Sequence, residues 1–309
     1  MDKPFDIVAI GEAMVEFNQT GAHGGRSYLQ GFGGDTSNAV IAASRQGAKC
    51  AFVTHLGDDD FGRMCLDLWR TEGVDTSGVG IVAAAHTGVY FVRHDANGHS
   101  FSYLRAGSAA SRMQPVDLPE PLLKSTKVLH VSGISQAISE SATETVRRAI
   151  DIARAAGAVI SYDPNLRLKL WSLARACEVI ESTIPQCDQF LPSLDDVQLV
   201  SGLTEPREIV AWCHRRGAKT VVLKLGRQGS LVSDGQSCVP VAAHRVDAVD
   251  ATGAGDCFDG SYLARLAGGA DPVSAARWAS AAAAIATTGY GAVDPLPRPA
   301  QIQHLLEGV

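Results

Sequence analysis

Short runs of β-branched, apolar residues alternate with longer, alanine-rich stretches along most of this chain. The runs predict buried strands at residues 7–10, 51–55, 128–131, 159–162, 190–191 and 220–225. The stretches predict helices over residues 37–46, 61–72, 142–156, 172–181, 207–216, 255–266 and 272–287. A strand-then-helix order sustained over 309 residues is typical of an α/β fold, with a doubly wound, mostly parallel sheet flanked by helices on both faces.

Two segments, near 12–32 and 87–105, interrupt this alternation. In the second segment, two strand-like runs flank an Asn-Gly dipeptide at 97–98, which strongly favours a hairpin. In the first segment, strand-like pieces are separated by the glycine-rich residues 21–25. We predict a single domain over residues 1–309, in which these inserted antiparallel strands form a small β-sheet lid over the ligand crevice.

The composition argues against several classes of function. The 27 basic and 33 acidic residues give a net charge of −6 without any basic block, which argues against nucleic acid or a membrane surface as a partner. The seven cysteines form no Cys-x-x-Cys pair, so we expect neither a disulfide framework nor a zinc site. No apolar run reaches the length of a membrane helix, and the N-terminus does not resemble a signal peptide. We therefore expect a cytoplasmic protein.

The strongest chemical signal is the string Asp-Ala-Thr-Gly-Ala-Gly-Asp-Cys-Phe at 250–258, directly before a predicted helix. Gly253 and Gly255 flank Ala254, so the backbone can pack tightly and direct its N–H groups at one point. The start of the helix adds roughly half a positive charge there, which predicts an anion hole suited to phosphate oxygens. The Asp256 carboxylate would abut that anion, which is unfavourable unless it takes up a proton during a reaction. The simpler alternative is an acidic cap on a helix that begins with glycine.

This string resembles the C-terminal signature of the ribokinase-like (PfkB) carbohydrate kinases. Further motifs of that family follow in order: Ile-Gly-Glu at 10–12, Gly-Gly-Asp-Thr-Ser-Asn-Ala at 33–39, Leu-Gly-Asp-Asp-Asp-Phe-Gly at 56–62 and Asp-Pro-Asn-Leu-Arg at 163–167. The resemblance covers about residues 5–295. It implies a ribokinase-like catalytic domain that transfers a phosphoryl group from ATP to a sugar.

The resemblance also implies roles for residues on the phosphate side. Asp256 is the general base that takes the proton of the attacking sugar hydroxyl, and the N–H groups of Gly253, Ala254 and Gly255 stabilise the developing charge. Mg²⁺ would bridge the nucleotide phosphates, and a monovalent cation such as K⁺ is a further expected cofactor. The residues expected to bind the nucleotide are Asn165, Thr252, Gly253, Gly255 and the Lys-x-Gly-x-x-Gly residues Lys224, Gly226 and Gly229.

Two of these assignments have open alternatives. The Lys-x-Gly-x-x-Gly residues at 224–229 would also serve as a plain glycine turn between two strands. Where the family has Asn-x-x-Glu to help hold metal and water, this chain has Ser193-x-x-Asp196. Asp196 is therefore the candidate to contact the metal, through water.

The residues that would recognise the sugar fall into two groups. Gly33, Gly34 and Asn38 form a floor, because glycine allows a close backbone approach and the asparagine amide pairs with hydroxyl groups. Arg105 and Arg167 each end a strand-like segment, and arginine presents a planar fork suited to a carboxylate.

The pattern Tyr-x-Arg-x-Gly-Ser-Ala-Ala at 103–110 resembles the 2-keto-3-deoxygluconate kinases in particular, as does Leu-Pro-Ser-Leu-Asp-Asp at 191–196. By that resemblance the substrate site is lined by Tyr90, Tyr103, Arg105, Arg167 and Asp256, with the two arginines nearest the acid end of the sugar. Fructokinases share Asp-Pro-Asn-Leu-Arg, so Arg105 is expected to discriminate between these substrates and Arg167 is not.

The expected reaction is phosphorylation of the terminal hydroxyl of 2-keto-3-deoxygluconate by ATP, which gives 2-keto-3-deoxy-6-phosphogluconate. The alternatives are a fructokinase or other ketohexose kinase of the same family, a catalytically inactive sugar-binding regulator, and an oxidoreductase on a Rossmann-like sheet. The absence of Gly-x-Gly-x-x-Gly after the first strand weakens the last alternative. The expected partners are the sugar acid, ATP and further copies of the chain, joined through the lid sheet as a homodimer or higher homo-oligomer.

Overall fold

Thirteen strands and eleven α-helices make up the part of the chain that the computed structural model describes, residues 3–20, 25–95 and 98–308. The strands are β1 (Phe5–Ile10), β2 (Met14–Thr20), β3 (Ser27–Gly33), β4 (Cys50–Gly57), β5 (Asp75–Val82), β6 (Gly88–Asp95), β7 (Gly98–Leu104), β8 (Thr126–Ser132), β9 (Val159–Asp163), β10 (Gln189–Phe190), β11 (Thr220–Lys224), β12 (Ser230–Ser233) and β13 (Cys238–Val241). The helices are α1 (Asp35–Arg45), α2 (Asp60–Thr71), α3 (Glu120–Lys124), α4 (Gly133–Ala137), α5 (Glu140–Ala155), α6 (Leu173–Thr183), α7 (Leu194–Ser201), α8 (Pro206–Arg215), α9 (Ala254–Ala267), α10 (Pro272–Ala286) and α11 (Pro299–Glu307). Within the described ranges, no helix has the length and apolar character needed to cross a membrane.

The large sheet has nine strands in the order β13-β12-β11-β10-β9-β8-β1-β4-β5. The strands from β11 to β5 pair in parallel, and β12 and β13 extend the sheet as an antiparallel edge. On β1, Val8 and Ile10 belong to the apolar core on one face, and Ile7 and Ala9 belong to the core on the other. Both faces are therefore covered, as parallel sheets require. The α/β fold class predicted from the sequence is confirmed.

A second sheet of four strands, the small sheet, has the order β3-β2-β6-β7. Strands β2 and β3 form one antiparallel hairpin, and β6 and β7 form another. The two hairpins join through a parallel pairing of β2 with β6, whereas the sequence suggested antiparallel strands only. The difference arises because the hairpins come from separate segments and meet side by side. Asn97 of the predicted Asn-Gly turn lies outside the described residues.

The edge strands of the small sheet expose apolar side chains. Tyr28 and Leu29 on β3 and Leu104 on β7 are among the large apolar residues that remain exposed. An edge strand with exposed apolar residues favours association with another surface. That this sheet acts as a lid, and that it joins copies of the chain into a homodimer or higher homo-oligomer, remain predictions.

Helices α1 and α9 cross in close contact, because Gly260 carries no side chain at the crossing. A Cβ at Gly260 would clash with the carbonyl oxygen of Ala39 and would lie 2.9 Å from the Cβ of Ala42. The close approach brings Asn38, in the first turn of α1, into contact with Asp256, in the first turn of α9.

The carboxyl ends of the parallel strands meet the starts of α1 and α9 at one edge of the large sheet. Asp163 is the last residue of β9 and Lys224 is the last residue of β11, and their side chains form an ion pair of 2.8 Å. Open α/β sheets bind their ligands at this edge. The candidate site is therefore built from strand ends and helix starts.

Candidate active site

Both helices that reach the site begin at a glycine with a positive φ. Gly34, before α1, has a φ of 115°, and a Cβ there would clash with the carbonyl oxygen of Glu12. Gly253, before α9, has a φ of 73°, and a Cβ there would lie 2.8 Å from the Cβ of Ala292. Gly253 has no capping side chain. The N–H of Ala254, predicted to stabilise the developing charge, donates instead to the carbonyl of Ala251 at 3.2 Å, so among the described contacts it is the N–H groups of Gly255 and Asp256 that are left for an anion.

The loop before α9 leaves its backbone open to a ligand at Gly255. A Cβ on this exposed residue would have one described atom within 4 Å, the Nζ of Lys224 at 3.7 Å. Thr252 holds the loop in shape, because its N–H and its hydroxyl both donate to Asp250 Oδ1, at 2.9 and 2.7 Å. The same carboxylate accepts the N–H of Gly291 at 3.0 Å. The predicted anion hole therefore has an accessible backbone and a fixed conformation.

Asp256 lies between this anion hole and the start of α1. The Nδ2 atom of Asn38 donates to Asp256 Oδ2 at 2.8 Å. Burial raises the pKa of Asp256 to about 7, and the negative charge of Asp35 adds to the rise. The hydrogen bond from Asn38 and the positive charge of Lys224 act in the opposite direction. A carboxylate with a pKa near neutrality is suited to accept a proton from a hydroxyl group.

Asn38 also carries a buried acceptor that no described residue uses. Its side chain is buried, and its Oδ1 atom has no hydrogen-bond partner within the described ranges. Buried polar atoms nearly always have a partner in folded proteins. This oxygen therefore marks a position where a donor hydroxyl of a ligand fits.

Tyr90 covers Gly33 and is held in place by a buried carboxylate. A Cβ at Gly33 would clash with the Tyr90 hydroxyl, so glycine makes room for the ring. The hydroxyl donates to Glu16 on β2, and the ring stacks on Tyr103 with 5.8 Å between centroids. Burial raises the pKa of Glu16, and the hydrogen bond from Tyr90 lowers it. The predicted substrate residues Gly33, Tyr90 and Tyr103 thus form one wall, whose support by Glu16 the sequence did not indicate.

The two candidate arginines have different surroundings. Arg105 pairs with the buried Glu12, with Nε and Nη2 at 2.8 and 2.5 Å from Glu12 Oε2. Glu12 also accepts the hydroxyl of Ser108 at 2.5 Å. Arg167 is exposed, donates to the carbonyl of Leu166 at 2.9 Å, and forms no ion pair with any residue that the structure describes. The charge of Arg105 is therefore already compensated, and that of Arg167 is left for a ligand.

Arg105→Met is expected to reduce the free energy of unfolding by about 3–5 kcal/mol, because it leaves the Glu12 carboxylate buried without a cation. Urea denaturation of the purified variant measures the change. Arg63→Met is the control, because Arg63 pairs with Asp58 and Asp60 at the surface and should lose less than about 1 kcal/mol. Equal, small losses in both variants would show that the Glu12 pair does not stabilise the fold.

Lys224 lies buried between two carboxylates. Its Nζ atom is 2.8 Å from Asp163 Oδ2 and 2.9 Å from Asp259 Oδ1. Asp259 follows Asp256 by one turn on α9, and sequence reasoning missed it. An acidic residue inside a helix gives no signal until its partner on another strand is known.

The two glycines of the Lys-x-Gly-x-x-Gly segment have different roles. Gly226 and Gly229 have φ values of 56° and 92°. A Cβ at Gly229 would clash with the carbonyl oxygen of Val241 on β13, so packing within the sheet edge requires glycine there. A Cβ at Gly226 would meet no described atom within 4 Å. Gly226 is thus the glycine that a nucleotide can approach, and Gly229 serves the turn between strands.

Asn165 and Asp196 lie at the same edge of the sheet. Asn165 has a φ of 35°, and its N–H and Nδ2 donate to Asp163 and Asp35, each at 3.1 Å. These bonds hold a sparsely populated backbone conformation, of the kind that occurs at functional sites. Burial raises the pKa of Asp196. No group of three or more His, Cys, Asp or Glu residues in the described part of the chain is arranged to hold a metal, and a contact of Asp196 with a metal stays a prediction.

A proton-accepting carboxylate beside an open helix start suits the transfer of a phosphoryl group to an alcohol. Such a site on this fold defines a class, the carbohydrate kinases with a ribokinase-like fold. The family model for pfkB family carbohydrate kinases matches residues 5–299. The chain belongs to the PfkB family, and it is an ATP-dependent carbohydrate kinase.

Individual relatives divide between two substrates. The chain is 34% identical to a 2-dehydro-3-deoxygluconokinase of Thermoproteus tenax, over 98% of this chain and 94% of the relative. It is 35% identical to fructokinase-1 of Zea mays, over 97% of both proteins. Among solved structures, an E. coli protein described as a ribokinase II in complex with ATP and Mg²⁺ aligns with a TM-score of 0.91 at 26% identity, covering 99% of this chain and 100% of that one.

Proposed function

We propose that this kinase phosphorylates the terminal hydroxyl of 2-keto-3-deoxygluconate, also called 2-dehydro-3-deoxygluconate. The observation that carries the proposal is Arg167, an exposed guanidinium at the end of the Asp-Pro-Asn-Leu-Arg segment with no ion pair to a described residue. Fructokinases share this segment, but the pairing of Arg105 with Glu12 leaves Arg167 as the candidate arginine whose charge is free to bind a carboxylate. Burial raises the pKa of Tyr103 and of Asp196, and the positive charge of Arg167 opposes the rise in both, which supports a position of Arg167 near these two candidate residues. An arginine fork in such a position suits a carboxylate.

The proposed mechanism assigns one task to each group. Asn38 accepts a hydrogen bond from a sugar hydroxyl at Oδ1 while its Nδ2 holds Asp256. Asp256 takes the proton of the terminal hydroxyl as that oxygen attacks the γ-phosphorus of ATP, and the bond to the β-phosphate oxygen breaks. The N–H groups at the start of α9 stabilise the charge on the transferred phosphoryl group. Mg²⁺ carried on the nucleotide phosphates would neutralise part of their charge.

The pKa of Asp256 sets the expected pH dependence of the reaction, because a general base must be ionised in the free enzyme. The pKa of Asp256 is raised to about 7, so kcat/KM is expected to fall tenfold per unit as the pH drops below about 7. Asn38→Ala removes a hydrogen bond that lowers this pKa, so the midpoint should move to higher pH. Initial rates in buffers from about pH 5 to about pH 9 measure both profiles. A midpoint at the ordinary value of an aspartate would be incompatible with this assignment.

A substrate panel tests the proposal. Turnover with ATP and Mg²⁺ is measured on 2-keto-3-deoxygluconate, gluconate, fructose and ribose, and we expect kcat/KM on the keto acid to exceed that on fructose by about a hundredfold. A preference for fructose would replace the proposal by a ketohexose kinase, the second candidate, which the fructokinase relative at 35% identity favours. Absence of ADP release with all four sugars would reject both the keto acid and fructose as the substrate.

A further inference from the structure

Among the lysines that the structure describes, Lys224 has the ammonium group most completely enclosed by carboxylates. The side chains of Lys224, Asp163 and Asp259 are only 11%, 7% and 1% exposed. A buried ammonium requires anionic or polar partners, and a buried carboxylate requires donors. The three side chains satisfy this requirement together, although they come from β11, β9 and α9.

The hydrogen bonds of Lys224 leave one of its donors without a described acceptor. Asp163 Oδ2 lies 2.8 Å from Nζ, and the two oxygens of Asp259 lie at 2.9 and 3.0 Å. At these distances, the angle between the two Asp259 oxygens as seen from Nζ is much smaller than the angle between two N–H bonds of an ammonium group. The two oxygens therefore share a single N–H. Two of the three N–H groups are therefore used, and the third is available.

The ammonium group lies beside the accessible backbone of the anion hole. The Nζ atom is 3.7 Å from the position of a Cβ on Gly255, which is exposed. The ammonium nitrogen is therefore close to the position where phosphate oxygens would meet the start of α9. Asp259 is on that same helix, one turn beyond Asp256, so its bond ties Lys224 to the element that carries the base and the hole.

We propose that Asp259 is a positioning residue, which with Asp163 orients Lys224 so that one N–H of its ammonium group contacts the phosphoryl group being transferred. The inference rests on the proposed phosphoryl transfer and does not depend on which sugar is the acceptor. Asp259 accepts a hydrogen bond from Lys224, and its side chain is closed off from a ligand because it is only 1% exposed. Its substitution therefore acts on catalysis only through the lysine.

A double-mutant cycle on kcat tests the proposal. Asp259→Leu is expected to lower kcat about tenfold, and Lys224→Met about a hundredfold, because a donor to the developing charge is misplaced or lost. In the Lys224→Met background, Asp259→Leu should change kcat by less than about twofold, because there is no ammonium left to position. An equal loss in both backgrounds, or no loss in the single Asp259→Leu variant, overturns the proposal.

Conservative and control variants separate positioning from stability. Asp259→Asn keeps an oxygen that accepts from Lys224, so kcat should stay within about threefold of wild type; a loss as large as that of Asp259→Leu overturns the role as an acceptor. Glu72→Leu is the matched control, because Glu72 and Arg45 form a similarly buried ion pair, 9% and 11% exposed, and the described bonds of the Glu72 side chain go to Arg45 and Arg298, not to Lys224, Asp163 or the loop before α9. It should lower the thermal midpoint without changing kcat. A drop in kcat equal to that of Asp259→Leu would mean that general destabilisation explains both.

A binding measurement without any sugar keeps the inference separate from the proposed substrate. Calorimetric titration with the magnesium complexes of AMP-PNP and of ADP is expected to show that Asp259→Leu weakens AMP-PNP binding about fivefold and ADP binding by less than about twofold. This result would stand even if the substrate panel rejected the keto acid. Unchanged affinity of Asp259→Leu for both nucleotides would overturn the inference, whatever the sugar substrate proves to be. This measurement does not require that a Lys224 variant folds.

Discussion

Asp256→Asn is expected to lower kcat about a thousandfold, because the asparagine amide cannot accept the proton of the attacking hydroxyl. Asn38 can still donate to the amide oxygen at this position, so the geometry around the site should be retained. Steady-state rates with the best substrate of the panel measure the effect. Turnover within about tenfold of wild type would exclude Asp256 as the base.

The same variant should be more stable than the wild type at alkaline pH. The folded-state pKa of Asp256 is about 7, and an aspartate in an unfolded chain has a pKa near 4. The folded protein therefore holds this proton more tightly, so stability falls as the pH rises from about 4 to about 7, and above about pH 7 the loss is complete. The thermal midpoint of Asp256→Asn should exceed that of the wild type at about pH 8, and the gain should shrink at about pH 5. A lower thermal midpoint at both pH values would indicate a damaged fold. The loss of kcat could then not be attributed to removal of the general base.

Arg167→Met is expected to lower kcat/KM on 2-keto-3-deoxygluconate about a hundredfold and on fructose by less than about threefold, because only the keto acid presents a carboxylate to the guanidinium. The two substrates are compared on the same enzyme preparation, so a change in active fraction cancels in the ratio. Arg167 makes no ion pair with a described residue, so its removal breaks no described salt bridge.

Lys169→Met is the matched control for Arg167, because Lys169 is exposed and lies two residues further along the chain. It should leave both values of kcat/KM within about twofold of wild type. Equal losses on the two sugars in Arg167→Met would contradict a role in carboxylate recognition. They would indicate that Arg167 contributes to a step that both reactions share.

Much of the fold could be read from the sequence because strand and helix patterns are local. The strand predicted at 51–55 is part of Cys50–Gly57, and the helix predicted at 272–287 is Pro272–Ala286. Strand β5 was missed because its residues are half-buried or exposed and include two glycines. Strand β12 was implied only by the alternative of a glycine turn between two strands at 224–229, and β13 was missed because it contains Pro240, a residue that is rare inside strands. The parallel pairing of β2 with β6 depends on contacts between distant segments, which no local pattern contains.

The candidate site was predictable where one short motif carries the chemistry, as at Gly253, Gly255 and Asp256. It was not predictable where the function of a side chain depends on a distant partner. From the sequence, Arg105 is a candidate to bind the carboxylate of a ligand. The structure shows it paired with Glu12, 93 positions away. From the sequence, Asp259 is an ordinary acidic residue within a helix. The structure shows it bonded to Lys224. Long-range pairing therefore decides which charges are free for a ligand.

The crossing of α1 and α9 at Gly260 also bears on how the protein is made. The sugar floor and the small sheet come from about the first third of the chain. The base and the anion hole lie at the start of α9, in the last fifth of the chain. Chains emerge from the ribosome N-terminus first. Until α9 arrives, Ile7 and Ala9 on β1 lack the partners Phe258 and Tyr262 that share their core. A growing chain therefore exposes apolar surface and lacks a base at the same time, so it cannot transfer a phosphoryl group before α9 joins this core.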